Sequence, residues 1–509
     1  MILGAQPSIF LFWLYWEIDP NFSLTFFIFF PIILFSGIIL LAISSAILAR
    51  IFIYIVNSFH KPRQGIFEFN REDKDYCYWS LRSILKKWPI WIARQLSIPL
   101  FEKLILKILG CKISFSSAFH DGWIDTEFVE IGKNVKLGQG SLLSSFLIVK
   151  GKLIIKKVKV EDNVVIGAHS ILLPGTIAKR NSTIAVNSST NVSQILEENS
   201  TYSGSPAKKV FKKTKQINMK DLRERIFKKF EEPRVNPEHL KGHVKELSVP
   251  FYKYLISGWI ISGMSFILPG FIFIVYVFLY LVPFLSTTTI SLQNLLNTWN
   301  LLTLFTIPIV FIALYLFHLF FVALFTRWFY KFADKRGPKQ GLFDRNLDKS
   351  SKMLEYYHFR SFLLKYPIFA VTRSPFPWLT NWELRFIGSN EIGKNSIIEE
   401  SFLHSHIKLG KKCYLGTFTH ITNHLVDGIY GQENLTFFGS ELGNKVIFNS
   451  ISGGFPGMEI GKNSTFLSVG STVKYDKLGE NNIYSGFPAR KLNRERIKMR
   501  LGDLYDGGE

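Results

Sequence analysis

Residues 160–175 read "VEDNVVIGAHSILLPG", with an aliphatic side chain at every sixth position: Val160, Ile166 and Leu172. A period of six fits neither an amphipathic helix nor a half-buried strand, but it suits short strands joined by tight turns in a solenoid, each coil stacking its aliphatic residue on the next. The period extends outward. Ile131, Leu137 and Leu143 precede an interruption, Ile154 follows it, and Ile184 continues the series, while Gly132, Gly138 and Gly167 follow aliphatic positions. At Ala178 and Lys179 the expected aliphatic-Gly pair is missing, and a loosened coil is predicted there.

The same pattern returns later, with Leu409, Leu415 and Ile421, then, past an insertion, Leu442, Phe448, Ile460 and Phe466. "VEIGKNVKLG" at 129–138 recurs as "IKLGKKCYLG" at 407–416, and "RSILKKWPIWIAR" at 82–94 as "RSFLLKYPIFAVT" at 360–372, both at one constant offset (407 − 129 equals 360 − 82). Both units close alike, with "YSGSPAKK" at 202–209 and "YSGFPARK" at 484–491. The chain is one unit written twice, so either copy serves as a control for the other.

Outside the coils the chain is strongly apolar. Of 509 residues 47% are hydrophobic and 48 are phenylalanine, an unusual balance for a soluble enzyme. No charged residue occurs from Phe22 to Ala49 or from Tyr254 to Thr326. A bilayer span needs about 20 apolar residues, which predicts one span near 24–48 and two near 256–283 and 301–326, divided by "STTTISLQNLLNTWN". Nothing basic precedes the first apolar run, which argues against a cleaved signal peptide. Residues 1–49 carry no Lys or Arg, whereas the segments beginning at Arg50 and Arg327 are densely basic. That asymmetry predicts an outside N-terminus and two polar regions in the cytosol, facing anionic lipid with most of the +22 charge. No nucleic-acid-binding motif accompanies the charge, so a nucleic-acid partner is not expected. Cys77, Cys111 and Cys413 have no metal-like spacing, so neither a disulfide nor a zinc-thiolate site is assigned.

These hexads resemble the left-handed parallel β-helix of the hexapeptide-repeat superfamily, whose prism-shaped coils use three hexads. "VEDNVVIGAHSILLPG" looks like the late coils of its acyltransferases, and "GSPAKK" and "GFPARK" like their C-terminal exit. Membrane spans followed by a β-helix, given twice, are similar to the C-terminal region of poly-lysine-synthetase-like non-ribosomal peptide synthetases, where "DTEFVEIG" (125–132) and a later "HL" plus an acidic residue are also familiar. The resemblance covers about four fifths of the chain, and no adenylation or carrier domain is visible. It implies acyl or aminoacyl transfer to an amine or hydroxyl, from acyl-CoA or a separate phosphopantetheinyl carrier protein.

The resulting organisation is a transmembrane segment (1–56), membrane-proximal interfacial helices (57–110), a first, degenerate β-helix (111–214) and a basic linker helix (215–250). A transmembrane helix pair (251–330), a second interfacial region (331–386), a second, active β-helix (387–492) and a tail (493–509) follow. Trp79, Trp88 and Trp91 in the first copy, and Tyr356, Tyr357 and Trp378 in the second, mix with Lys and Arg as headgroup-level helices do. "KDLRERIFKKFEE" (220–232) reads as an amphipathic basic helix or a solvated spacer.

His404, His406, His420 and His424 supply four of the eleven histidines within 21 positions (424 − 404 + 1). His406 and His424 lie one full coil apart (424 − 406 = 18), which predicts stacking on one face; at the repeat offset, the first copy has Phe128 and Phe146 instead. A His pair in one copy and a Phe pair in the other suggest a working copy beside a degenerate one, or a Phe146 surface that lines a site shared by both. Imidazole, with a pKa near neutrality, suits a general base that deprotonates an acceptor attacking a thioester, the role the superfamily gives a histidine. The resemblance of "HLVDG" (424–428) makes His424 the first choice, His406 a stacked partner and Asp427 an orienter or a strand terminator, with a covering loop from Gly428 to Ser440. His404, His420 and the isolated His169 read as half-buried coil residues, His318 as a packing residue within a span, and Glu399 and Glu400 as solvated turn residues.

Two other classes are open. A catalytically silent tandem β-helix would act as a scaffold for a membrane-associated synthetase. A zinc enzyme of carbonic-anhydrase type would need three protein ligands, conceivably His406, His420 and His424, but the spacing and the spans do not match that group, and no metal is expected. Membrane lipid, a small-molecule or peptide acceptor and a carrier protein are the expected partners, with the chain a monomer of two pseudo-equivalent domains or a small homo-oligomer.

Overall fold

The computed structural model describes residues 1–20, 22–96, 98–119, 121–212, 251–344, 352–427 and 434–502. The hexads form parallel ladders of two- and three-residue strands. Ile166 stands in register with Ile184, and Leu403 with Ile421, each one regular coil away (184 − 166 and 421 − 403). Leu137, Leu143, Val160, Ile166, Leu172 and Ile184 share one buried cluster, and Leu409, Leu415, Ile421, Leu442, Phe448 and Phe466 a second, so the six-residue series is the axial core of each stack. Each such side chain contributes roughly 1.5–3 kcal/mol by leaving water. The coils approach closely: a Cβ on Gly138 would collide with the backbone nitrogen of Ala168, so only glycine fits there.

The corners require a left-handed backbone, which Asn tolerates best, and Asn134, Asn163, Asn181 and Asn199 take φ of 54–58° in the first stack. No loosening occurs at Ala178. Its strand pairs on both sides, with Val160 and Leu196, and the methyl is fully buried, because a small residue suffices inside the coil.

Each stack is interrupted by an antiparallel hairpin. Leu143 pairs with Leu172 and Ile421 with Gly454, offsets of 29 (172 − 143) and 33 (454 − 421) against 18 (184 − 166) for a regular coil, so the second insertion is the longer. The first hairpin joins Phe146–Val149 to Lys152–Ile155 with Gly65–Glu68 as third strand; the second joins His424–Asp427 to Asn434–Phe437 with Gly341–Asp344. The segment expected to cover the site as a loop from Gly428 is therefore partly a strand, because Leu435, Thr436 and Phe437 are all fully buried and their strand pairs on both sides.

Among the described residues three helices are long and apolar enough to cross a membrane: Leu24–Phe59, Phe251–Thr287 and Thr298–Asp334. The main helices are α1 (Ile2–Ile18), α2 (Leu24–Phe59), α3 (Lys74–Gln95), α4 (Pro99–Ile108), α5 (Phe251–Tyr276), α6 (Thr298–Asp334), α7 (Lys352–Leu363), α8 (Lys365–Thr372), α9 (Thr380–Ile387) and α10 (Arg494–Leu501). The sequence reading assigned no element to α1. It lies antiparallel to α2, with Ser8 Oγ donating to Gly37 O at 2.9 Å and Gly4 against Ser45, so Met1 sits at the Arg50 end of α2. Trp13 Nε1 donates to Thr288 O, tying α1 to the connector before α6. The basic linker helix expected at 215–250 lies outside the described residues.

The two stacks pack on each other. Leu142, Leu147 and Ile171 share a buried cluster with Leu467, Ile483 and Leu501. The side chain of Asn449 pairs with Ile148 as a strand would, Oδ1 accepting from its N–H at 3.2 Å and Nδ2 donating to its carbonyl at 2.9 Å. Lys87 Nζ lies 3.4 Å from Glu399, and Arg94 lies 3.6 Å from Glu400, so these carboxylates join α3 to the second stack instead of facing solvent at a turn. Burial raises the Glu400 pKa, with Arg94 opposing.

Candidate functional site

The second hairpin decides where the histidines go. Because it leaves the coil after Asn423, Ile407–Leu409 pairs not with the segment one regular coil on but with Ser440–Leu442, beyond the hairpin. The one-coil spacing therefore does not stack His406 on His424, correcting that expectation. The ring beside His424 is His404, edge to face with centroids 4.5 Å apart.

His424 is the first residue of the hairpin and pairs with Phe437. Its Nδ1 lies 3.3 Å from Asn423 Oδ1 and 3.3 Å from Thr422 Oγ1. Asn423 is fully buried, and its Nδ2 donates to Ser405 O at 2.6 Å and Ser405 Oγ at 2.9 Å. That fixes the amide with its oxygen toward the imidazole, so Nδ1 carries the hydrogen and Nε2 the free lone pair. The tautomer is thus set by Asn423. Asp427 closes the same strand, and its side chain lies outside the described residues.

Burial lowers the His424 pKa to about 4, with His358 and Lys365 adding to it. Burial lowers that of His404 to about 3, with His424, Lys365 and His420 contributing. Burial favours the neutral form of both imidazoles, and the ring contact brings His404 into the constellation. His420, exposed, sits against Gly453 on the coil face.

His406 occupies a coil corner at φ 59°, as its counterpart Phe128 does at 55°, so the strained backbone belongs to the corner and not to the histidine. Its Nε2 donates to Asp334 Oδ1 at 3.2 Å, and the same oxygen accepts from Arg360 Nη1 at 2.6 Å. Arg360 is fully buried, lies 5.0 Å from the Phe437 ring centroid and donates to Pro338 O. This ion pair pins the C-terminal end of α6 to α7, whose Arg360 in turn lies over Phe437 of the hairpin. Removing Asp334 would leave the buried Arg360 guanidinium without its carboxylate, which costs about 3–5 kcal/mol.

Tyr357 completes the wall, its ring 5.6 Å from His424 and 4.8 Å from Phe437. It is 1% exposed, so it is not the headgroup-level residue the sequence suggested. Trp79, its counterpart at the repeat offset, is likewise turned inward, 5.0 Å from Phe146, while Trp378 remains exposed. Tyr357, Lys365, Asp334 and Arg360 were missed as site residues. A signal existed for two of them, since Arg82 and Lys87 recur as Arg360 and Lys365 within the repeated "RSILKK" and "RSFLLK".

In the first copy the equivalent place holds no imidazole. Phe128 and Phe146 lie with Phe67, Tyr76 and Trp79 in an apolar cluster capped by Tyr414 and Ile447 of the second stack. Elsewhere, His169 stands at a coil corner against Gly140, and His318 of α6 stacks on Phe266 of α5, centroids 3.9 Å apart. Among the described residues no group of three His, Cys, Asp or Glu side chains is arranged to hold a metal ion.

No family model and no curated protein matches the chain. Among solved structures, a hexapeptide-repeat-containing acetyltransferase from Vibrio cholerae is similar over 27% of this chain and 92% of its own, at 17% identity and a TM-score of 0.23. A maltose O-acetyltransferase from Clostridium difficile 630 is similar over 23% and 76%, at 19% identity and 0.20. A galactoside acetyltransferase in complex with coenzyme A is similar over 28% and 86%, at 16% identity and 0.23. These are similarities of about a quarter of the chain, and at such scores they carry no argument about its chemistry.

Proposed function

We propose that this chain is a membrane-embedded acyltransferase of the hexapeptide-repeat type, in which the second coil stack is catalytic and the first is its duplicated, non-catalytic partner. The observation that carries this reading is the neutral His424, held by Asn423 with Nε2 as the lone-pair nitrogen against a buried aromatic wall. In the reaction, the acceptor nitrogen or oxygen attacks the thioester carbonyl as Nε2 of His424 takes its proton. The new C–N or C–O bond forms, the C–S bond breaks, and the proton passes to the departing sulfur to give a free thiol. Lys365, whose charge acts on both imidazoles, would favour the negative charge that develops on the carbonyl oxygen. Asn423 and Ser405 are positioning residues.

The donor in this reading is acyl-CoA or a phosphopantetheinyl carrier protein, in keeping with the likeness to the membrane region of poly-lysine-synthetase-like enzymes. In this reading both stacks lie in the cytosol, with membrane lipid around α2, α5 and α6. The packing of α1 along α2 supports an N-terminus on that same side, in place of the outside location that charge counting predicts. Burial of Tyr414 and Ile447 under the first hairpin, where their counterparts Lys136 and Val165 are exposed, supports a closed pair within one monomer.

One observation favours the scaffold reading for part of the chain: the first copy uses its Phe146 site as an interface. The readings separate on thiol release from a panel of acyl-CoA and acyl-carrier donors with detergent-purified protein. Release that is lost in a folded His424→Ala variant identifies a transferase and its donor. Well-folded wild type that releases no thiol from any donor points to the scaffold.

A further inference from the structure

A groove of about 670 Å³ runs along α5 where it meets α7 and α8. Tyr254, Trp259, Gly263, Phe266, Phe362 and Tyr366 are among its walls, which are almost wholly apolar. α5 belongs to a segment long and apolar enough to cross a membrane, and its groove side stays open: Trp259 is 84% exposed. Two glycines shape it. Gly258 lets the Tyr366 hydroxyl approach where a Cβ would otherwise stand, and Gly263 faces open space.

The groove also leads somewhere. Phe362 and Tyr366 flank Lys365, whose Nζ lies 5.7 Å from the Phe362 ring centroid, and Lys365 is the cation that acts on His404 and His424. The same helix, α7, presents Phe362 to the groove and Tyr357 to His424. From Tyr357 to Phe362, both on α7, the helical rise is about 7.5 Å, a distance that a glycerol-phosphate headgroup can cover. Lys253, paired with Glu355 at 2.8 Å, holds α5 to α7 at the polar end. In a bilayer no water is present to fill an apolar cleft between helices, so a hydrocarbon chain occupies it.

We propose that this groove binds the hydrocarbon chain of a membrane amphiphile whose polar head, bearing an amine or hydroxyl, passes Lys365 and is the acyl acceptor at His424. The assignment rests on the acyltransferase reading and gives it a substrate class: a chain-bearing acceptor drawn from the membrane, with the water-soluble thioester arriving from the other side. For an amine head, the nitrogen forms the new amide bond, the thioester C–S bond breaks, and the nitrogen's proton leaves through His424 to the thiol.

The test uses the full chain in nanodiscs of phosphatidylcholine containing phosphatidylethanolamine with a diazirine in its acyl chain. Cross-links in the wild type are expected on Trp259, Phe266 and Tyr366. Their yield should fall at least five-fold in Gly263→Leu, whose side chain enters the groove, and stay unchanged in Gly270→Leu, an equally open position of α5 outside it. His424→Ala should leave cross-linking intact and abolish acylation of the lipid amine. Cross-links spread evenly over the lipid-facing helices and insensitive to Gly263→Leu would overturn the groove. Cross-linking confined to the groove, together with His424-dependent thiol release to soluble amines only, would overturn the lipid acceptor while leaving acyl transfer standing. Groove cross-linking with no thiol release to any acceptor would remove the transferase reading and the acceptor assignment with it.

Discussion

His404 and His424 meet edge to face with ring centroids 4.5 Å apart, across the point where the polypeptide leaves its coil to form a hairpin. Two imidazoles this close cannot both carry a proton cheaply, and burial discourages either from doing so. The consequence is a pair held neutral through the physiological range.

The pH dependence follows. With pKa values depressed to about 4 and about 3, the rate is expected to hold level from pH 8 to pH 6 and to fall only toward pH 4, far below the ordinary histidine value. Lys365→Met removes a neighbouring cation, lets the imidazoles hold protons more readily and should move the acid limb upward. Stability shares the sign. A histidine with a lowered folded pKa contributes fully above about pH 6.5, and that contribution is lost as pH falls through 6.5 toward 4. The profile of kcat/KM, taken beside a melting curve at each pH, checks both.

Asn423 offers a test of how the base is oriented. Asn423→Leu removes the acceptor that holds Nδ1–H and should lower kcat about 10- to 100-fold with little change in donor KM. Asn423→Asp keeps an acceptor there and adds a negative charge, so it should retain more activity and shift the acid limb upward. Equal loss in both variants with an unmoved pH profile would reduce Asn423 to a packing role.

The junction between stacks is testable without activity. Asn449→Ala leaves the buried N–H and C=O of Ile148 without their partners, at a cost of about 1–3 kcal/mol for each group. Amide exchange at Ile148 should quicken accordingly, while the ladder around Ile166 keeps its protection.

Much of the fold was written in the period of six. Residues such as Ile166 and Phe448 announce their burial because every coil repeats one local environment, so position in sequence is position in space. The site was less legible, because the hairpin breaks that rule between His406 and His424, and its extra length over the first hairpin (33 − 29) leaves no periodic trace. The third hairpin strand left one trace that went unused: "GIFE" at 65–68 returns as "GLFD" at 341–344, just after each basic turn out of the membrane. Tyr357 was misplaced for a different reason. An aromatic residue beside Lys and Arg reads the same whether it meets headgroups or a coil, and only the fold tells them apart. Helix α1 escaped because its 17 residues sit at the short limit of a span and its apolar run is broken by Gln6 and Pro7 and ends at Glu17.

The most direct test of the central claim is steady-state acyl transfer by His424→Gln. Glutamine keeps polar contacts but cannot take the proton, so kcat should fall about 10²- to 10⁴-fold with donor KM unchanged and the melting temperature preserved. A folded His424→Gln protein that transfers acyl groups at the wild-type rate would contradict the account.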